Sequence, residues 1–129
     1  MSELDLLSQI AHSIYALSPD KTAAAVRTAL EAGVDPLAVV DQGIVRGMEI
    51  VGEDYRNENM FLPELLVAEQ CMRSGLAEIE TFVGAEGAPL VATARQRLAE
   101  RAASWLPALS SCVTRLLHSS DSLLTAKQK

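Results

Sequence analysis

Apolar residues recur at intervals of three and four along most of this chain, and the period-two alternation typical of strands is absent over any useful length. The most regular run has spacings of 3, 4, 4, 3 and 4, which place all its members on one face of a helix. The pattern predicts an all-α protein in which this helix is buried along its full length. The members of the run are Leu37, Val40, Ile44, Met48, Val51 and Tyr55.

Residues that begin and end helices divide the chain further. Ser18 is a good N-cap with Pro19 after it, Asp35 and Pro36 repeat that pair, and Gly33 is a normal residue just past a helix end. Short connections between helices of similar length predict an antiparallel four-helix bundle. The four predicted helices run from about Glu3 to Leu17, from Pro19 to Ala32, from Pro36 to a turn at residues 57–59, and from Leu62 or Pro63 to about Val83.

Two glycines in the third predicted helix indicate close packing. Gly43 and Gly47 lie one turn apart and share a face. Each glycine in a helix interior costs roughly 1 kcal/mol relative to alanine, so some interaction must offset the loss. We expect a neighbouring helix, or another bulky group, to approach the backbone at this face.

The chain changes character after residue 84. The stretch "GAEGAP", residues 84–89, is typical of a linker because of its glycines and proline. Beyond it the spacing predicts a helix that Pro107 interrupts, and a further helix from Leu109 to Leu124. We therefore expect a helical unit over residues 1–84 and a linker with a helical tail over residues 85–129. One face of the first tail helix would carry Leu90, Ala94, Leu98, Ala102 and Trp105, and the other Arg95, Arg97 and Arg101.

Charge follows the same division. Residues 1–84 hold 5 basic and 14 acidic residues, which gives 5 − 14 = −9, and residues 85–129 hold 6 and 3, which gives 6 − 3 = +3. The total of −6 argues against a nucleic-acid-binding protein, because phosphate affinity comes mainly from clustered Lys and Arg. Cys71 and Cys112 form no CxxC pair, and the N-terminus lacks a secretory pattern. We expect a reduced cytoplasmic protein with no membrane span.

Catalytic groupings are not evident in the sequence. Glu53, Asp54 and Glu58 cluster at the end of the third helix, but their spacing matches no calcium loop and favours an exposed face. No nucleophile elbow, glycine-rich phosphate loop or paired catalytic acid is visible. Cys71 lies next to Met72 in the fourth helix, which favours a buried thiol. An independent enzyme is therefore poorly supported.

The junction between the third and fourth helices is unusual. Only five residues of the chain are aromatic, and two of them, Tyr55 and Phe61, flank a polar break at this junction. Met60 and Leu62 add further apolar side chains at the same corner. One interpretation is a hydrophobic staple at the end of the core, in which residues before a helix fold back onto its first turns. The sequence pattern alone leaves that interpretation open beside a functional one.

A family resemblance carries the functional interpretation. The stretch "GMEIVGEDYRNENMFLPELLVAEQCMRSGLAEIE", with the preceding "EAGVDPLAVVDQGIVRGM", resembles the helical cap before the cobalamin-binding domain of methionine synthase and of the small corrinoid proteins of methylamine and methanol methyltransferase systems. The likeness covers about residues 5–84 and is strongest from Gly47 to Ala77. The matching features are Gly47 with Met48, Val51 with Gly52, Tyr55, and Phe61 with Leu62 and Pro63.

The resemblance implies a site at this corner. In such caps the corner lies over the upper face of the corrin ring, where a lid of apolar side chains keeps water from the cobalt-bound methyl group and from Co(I). The lid swings aside so that methyl donor and acceptor can reach the cobalt. Carried over by position, the lid would consist of Tyr55, Phe61, Leu62 and Leu65. The implied partners are methyltransferase subunits and a cobalamin-binding domain, and the cap would be a non-catalytic methyl-carrier component.

The α/β domain that holds the lower face of the cofactor in this family is not recognisable in the chain. Its signature is Asp-x-His-x-x-Gly, with the histidine as cobalt ligand, and neither His12 nor His118 has that surrounding sequence. We expect both to be ordinary surface or boundary residues, and the chain to be a cap without its cofactor domain. Self-association stays open, since an isolated cap would leave its ring-facing surface bare. The alternative hypothesis is a non-catalytic helical interaction or assembly module that kept the bundle and does not bind cobalamin.

Overall fold

The structure is a computed structural model that describes residues 2–102, except for the side chains of Leu62 and Ala102. Residues 2–102 contain five helices and no strand, which confirms the all-α fold predicted from the periodicity. None of these helices combines the length and the apolar character that a membrane span requires. The predictions for Trp105, Cys112, His118 and the helix from Leu109 to Leu124 lie outside the described residues.

The first two helices form a hairpin. Helix α1 is Glu3–Tyr15, and the side chain of Ser2 caps it by accepting a hydrogen bond from the Asp5 N–H. Helix α2 is Pro19–Glu31, and Ser18 caps it in the same way, as the sequence predicted. Helix α1 ends two residues before the predicted Leu17, because Leu17 adopts a left-handed backbone conformation (φ 59°) that turns the chain.

Helix α3 is continuous over residues 36–56, but its middle is not α-helical. It consists of α-helical Pro36–Ala38, π-helical Val39–Ile44 and α-helical Val45–Arg56. The apolar spacing did not predict the π-helical segment, because a spacing of four fits its wider turn as readily as an α-helical turn. The central members of the predicted stripe are fully buried nonetheless. They are Val40, Ile44, Met48 and Val51.

Helix α4, Leu62–Val83, completes a ring in which α1 and α4 lie beside α2, and α1 and α4 also lie beside α3. Consecutive helices run antiparallel. Later residues of α1 contact later residues of α3, so these two helices run parallel. The same order of contacts shows that α2 runs parallel to α4. The core at the centre of the ring contains completely buried side chains from all four helices, among them Ile10, Ile14, Val26, Ile44, Met48, Met72 and Ile79.

Helix α1 is the neighbour that the glycines of α3 accommodate. A Cβ atom placed on Gly43 would lie 3.0 Å from Ile10 Cγ2, and one on Gly47 would lie 3.0 Å from Ile14 Cβ and 3.1 Å from the carbonyl oxygen of Ala11. These distances are shorter than ordinary van der Waals contact. The structure therefore confirms the predicted close approach at this face.

The predicted linker after residue 84 is a tight turn. Gly84 has a left-handed backbone (φ 66°), a 3₁₀ turn follows at Ala85–Gly87, and helix α5, Ala88–Ala102, packs back against α3 and α4. Ala94 and Leu98 of α5 are completely buried and belong to the core. The division of the chain at residue 84 stays a prediction, to which the structure adds that α5 lies on the bundle.

Candidate functional site

The candidate site is the corner between α3 and α4, which backbone hydrogen bonds hold in place. Asn57 N–H donates to the Glu53 carbonyl (3.0 Å), and Asn59 N–H donates to the Asp54 carbonyl (2.9 Å), so the chain closes tightly after the last turn of α3. Glu58 lies between them in the left-handed region (φ 63°). The sequence predicted that this polar stretch ends α3, and the structure confirms the position.

Phe61 begins α4 in an extended conformation, and Glu64 fixes its backbone. The Phe61 N–H donates to Glu64 Oε1 (3.0 Å), while the N–H groups of Glu64 and Leu65 both donate to the Phe61 carbonyl (3.1 Å each). A carboxylate in the first helical turn also complements the positive end of the helix dipole. The main chain of Phe61 is thus held by Glu64, and its aromatic ring remains outside the bundle.

The four residues predicted for the lid have different surroundings. Phe61 is 68% exposed, Tyr55 is partly buried against the core, and Leu65 is only 1% exposed inside it. Leu62 lies outside the described side chains. The corner therefore presents Phe61 to the exterior and keeps Leu65 as support beneath it. Whether these residues contact a cofactor stays a prediction.

Leu66 is a residue of this surface that the sequence reasoning missed. Its side chain is 46% exposed, close to Phe61 in the chain. The sequence "PELL" places two leucines about 100° apart on the helix, and which of them faces the core depends on packing: the structure buries Leu65 and exposes Leu66. Met60, in contrast, is 6% exposed and packs into the core, as a hydrophobic staple would.

The chemistry of the corner is apolar contact and water exclusion. Within residues 2–102 no group of three or more His, Cys, Asp or Glu side chains could hold a metal ion. Glu64 already accepts the Phe61 N–H, and Glu53 and Glu58 are exposed as predicted for a solvated face. The described residues at the corner can cover an apolar ligand, and they offer no set of groups that would ligate a metal.

A separate cleft of about 420 Å³ lies between α1 and α3. His12 lines it and is exposed, which agrees with its predicted surface position. Tyr15 and Asp54 face each other there, and the hydrogen bond from the hydroxyl to the carboxylate raises the pKa of Tyr15. Arg46 and Ile50 of α3 complete the opposite wall. This cleft contains none of the four residues predicted for the lid.

Comparisons with known proteins show which sequences this chain resembles. A family model described as a B12 binding domain matches residues 6–80, which is more than half of the chain. The trimethylamine corrinoid protein 2 of Methanosarcina mazei is 33% identical over 75 residues, which cover 58% of this chain and 34% of that protein. A corrinoid protein of Desulfitobacterium hafniense is 29% identical over 84 residues, which cover 65% and 39% of the two chains.

The dimethylamine corrinoid protein of Methanosarcina barkeri is 29% identical over 92 residues, which cover 70% of this chain and 43% of that protein. The chain thus spans less than half the length of each of these relatives. No solved structure gives a significant match to this chain.

Proposed function

Because this chain belongs to the B12 binding domain family, we propose that it is the helical cap of a corrinoid protein that acts in methyl transfer with partner methyltransferases. The named relatives are corrinoid proteins, several of them for methylamines. They are more than twice as long as the matched part of this chain. The match alone therefore does not give the methyl donor or the partner subunits, and both are part of what we propose. In this role the cap carries no bond-making residue.

The observation that carries the proposal is the outward-facing apolar corner. Phe61 is 68% exposed although it is one of only two phenylalanines in the chain, and Leu66, five positions later, is 46% exposed. Two exposed apolar side chains near one helix junction favour a binding surface over an ordinary helix junction. The exposed side chains of the corner are apolar, so they are suited to cover a flat, largely apolar ring.

Each residue of the lid has a distinct role in this proposal. Phe61 and Leu62 lie over the ring and exclude water, with Leu66 extending the apolar surface. Tyr55 flanks them from the end of α3, and Leu65 anchors the corner in the core. Bound cobalamin would supply the cobalt centre that accepts and donates the methyl group. The cap residues shield that centre and move aside for the methyltransferase.

The lower face of the cofactor requires another protein segment. His12 is exposed on α1 in the cleft beside α3, and the described residues contain no group of three or more side chains that could hold a metal ion. We propose that a separate cobalamin-binding domain supplies the cobalt ligand and that the cap contacts the upper face only. Until that domain docks, the bare corner is also available for self-association.

Titration with cobalamin tests the proposal. Purified protein is added to methylcobalamin or hydroxocobalamin, alone and together with a separately expressed cobalamin-binding domain from a corrinoid relative. We expect a spectral shift and slower photolysis of the methyl–cobalt bond when both protein parts are present. The double substitution Phe61→Ala with Leu62→Ala should weaken the association about tenfold, because buried aromatic anchors dominate such interfaces.

Phe82→Ala is the matched control. Phe82 is also exposed (52%), but it lies at the opposite end of α4. Its substitution should leave the spectral shift and the photolysis rate unchanged. If neither cofactor form responds to the wild-type chain in either mixture, the cap proposal is wrong.

The exposure of Phe61 also favours the second hypothesis, a helical interaction module that does not bind cobalamin. The double substitution Phe61→Ala with Leu62→Ala distinguishes the two hypotheses. In an interaction module it abolishes self-association in analytical ultracentrifugation and has no effect on cobalamin, whereas in a cap it increases solvent access to the cofactor.

A further inference from the structure

Helix α5 presents a narrow apolar edge to the bundle. Val91, Ala94 and Leu98 follow each other at spacings of three and four, and they are 7%, 0% and 0% exposed. Neighbouring positions on α5 such as Ala92, Thr93 and Gln96 are exposed. The helix therefore lies in the groove between α3 and α4 with one buried edge, as an amphipathic ligand helix lies in its receptor.

In each ion pair between α5 and the bundle, α5 contributes the positive charge and the bundle contributes the carboxylate. Its three arginines each contact a carboxylate of the bundle: Arg95 contacts Glu80 of α4, while Arg97 and Arg101 contact Asp41 and Glu49 of α3, the last at 3.6 Å. Residues 88–102 carry three basic residues and one acidic residue, 3 − 1 = +2, whereas residues 1–84 carry −9. The groove and the helix are complementary in charge as well as in shape.

In the sequence, α5 lies outside the matched family region against which it packs. The matched family region ends at residue 80, before α5 begins. Only residues 84–87 connect the two, and the backbone reverses there through the left-handed Gly84. The receptor surface, in contrast, lies within the family unit, because Asp41, Glu49 and Glu80 all belong to α3 and α4.

We propose that the groove between α3 and α4 is a docking surface for an arginine-bearing amphipathic helix, and that α5 is its resident occupant. Two of the three ion pairs, Arg97–Asp41 and Arg101–Glu49, are at least 41% exposed on both sides, and such pairs are individually weak and screened by salt. The occupant is therefore held by several small contributions and can be exchanged. A basic amphipathic helix of a partner competes with α5 for the same carboxylates. The inference does not depend on cobalamin binding.

Hydrogen exchange on the full-length protein tests whether α5 opens separately. Wild-type amides of α5 should exchange faster than those of α1, and more so at high ionic strength. Asp41→Arg should speed exchange in α5 by roughly three- to tenfold without changing α1, and the added Arg97→Asp should restore the wild-type rate. Glu78→Arg is the matched control, since Glu78 pairs with Arg27 of α2.

A peptide in trans tests whether the groove accepts a helix. A fluorescent peptide with the sequence of residues 88–102 is added to the full chain and followed by anisotropy. We expect no binding to wild type, whose groove is filled, and saturable, salt-sensitive binding to the variant with Arg97→Asp and Arg101→Asp. Because the Arg97 and Arg101 side chains are 41% and 57% exposed and lie outside the apolar edge of α5, the variant should keep its fold, which the exchange rates of α1 verify.

Two results would overturn the inference. One is exchange of α5 amides only through global unfolding in every variant, which makes α5 an integral fifth helix of the core. The other is absence of peptide binding to the double variant although its α5 amides exchange freely. Since neither assay contains cobalamin, failure here leaves the proposed function untouched, and failure of the cobalamin titration leaves this inference untouched.

Discussion

At the scale of single residues, the contact between Tyr15 and Asp54 predicts a pH effect. The hydrogen bond to the Asp54 carboxylate, together with its negative charge, raises the pKa of Tyr15 above the usual value of about 10. The raised pKa belongs to the folded state, so this contact contributes at neutral pH and is lost as the pH rises through the folded-state pKa. In the Tyr55→Phe background, ultraviolet titration of the single remaining tyrosine should show that shift.

Asp54→Asn tests the cause of the shift. Removal of the negative charge should lower the titration midpoint of Tyr15 towards the usual tyrosine value. Asp20→Asn, on the exposed first turn of α2, serves as the control and should leave the midpoint in place. An unchanged midpoint in the Asp54 variant would mean that the carboxylate does not face the hydroxyl in solution.

At the scale of helices, the crossing of α1 and α3 predicts the sign of a glycine substitution. Alanine is favoured over glycine in a helix interior by roughly 1 kcal/mol. At Gly47, however, the added Cβ would meet the backbone oxygen of Ala11 at 3.1 Å, and such overpacking costs about 1–3 kcal/mol. Since these two effects oppose each other, we expect Gly47→Ala to lower the free energy of unfolding by up to about 2 kcal/mol, measured by chemical denaturation.

The substitution Ala24→Gly measures the contribution of helix propensity to the free energy of unfolding. It is exposed in the middle of α2, so Ala24→Gly should cost about 1 kcal/mol from helix propensity alone. If the two helices were not in close contact, Gly47→Ala would instead stabilise the protein by a similar amount. Stabilisation at Gly47 would therefore contradict the close approach of α1 and α3.

At the scale of the whole molecule, Cys71 reports on opening of the core. The sequence indicated a buried thiol, and the structure confirms that Cys71 is completely buried. Burial raises the pKa of the thiol, with a partial offset from a hydrogen bond with Thr22, so little thiolate exists at neutral pH. In the Cys112→Ala background, alkylation of Cys71 should be slow and should follow the equilibrium population of the globally unfolded state.

Destabilisation elsewhere in the core tests this coupling. Gly47→Ala acts at the α1–α3 crossing, on a different pair of helices from Cys71, and should still speed alkylation by up to roughly thirtyfold for the expected loss of up to about 2 kcal/mol. Alkylation that is fast in the native protein and indifferent to this substitution would show that the thiol is locally accessible.

Part of the arrangement of the candidate site could be predicted from the sequence. The turn after α3, the start of α4 and the group of apolar residues at the corner followed from local rules, because caps, prolines and turn-formers act on their immediate neighbours. The directions of Phe61 and Leu65 did not follow from those rules. They depend on which helix lies across the corner, and that is decided by packing.

The sequence by itself determined the all-α class, the four principal helices and the buried face of α3, since periodicity is a local property that a helix converts directly into a face. It also indicated that α3 would meet a close neighbour at Gly43 and Gly47. Only the tertiary structure decided that this neighbour is α1, that Phe61 points outward, and that α5 lies on α3 and α4. Those outcomes depend on contacts between residues far apart in the chain, which spacing along one helix does not encode.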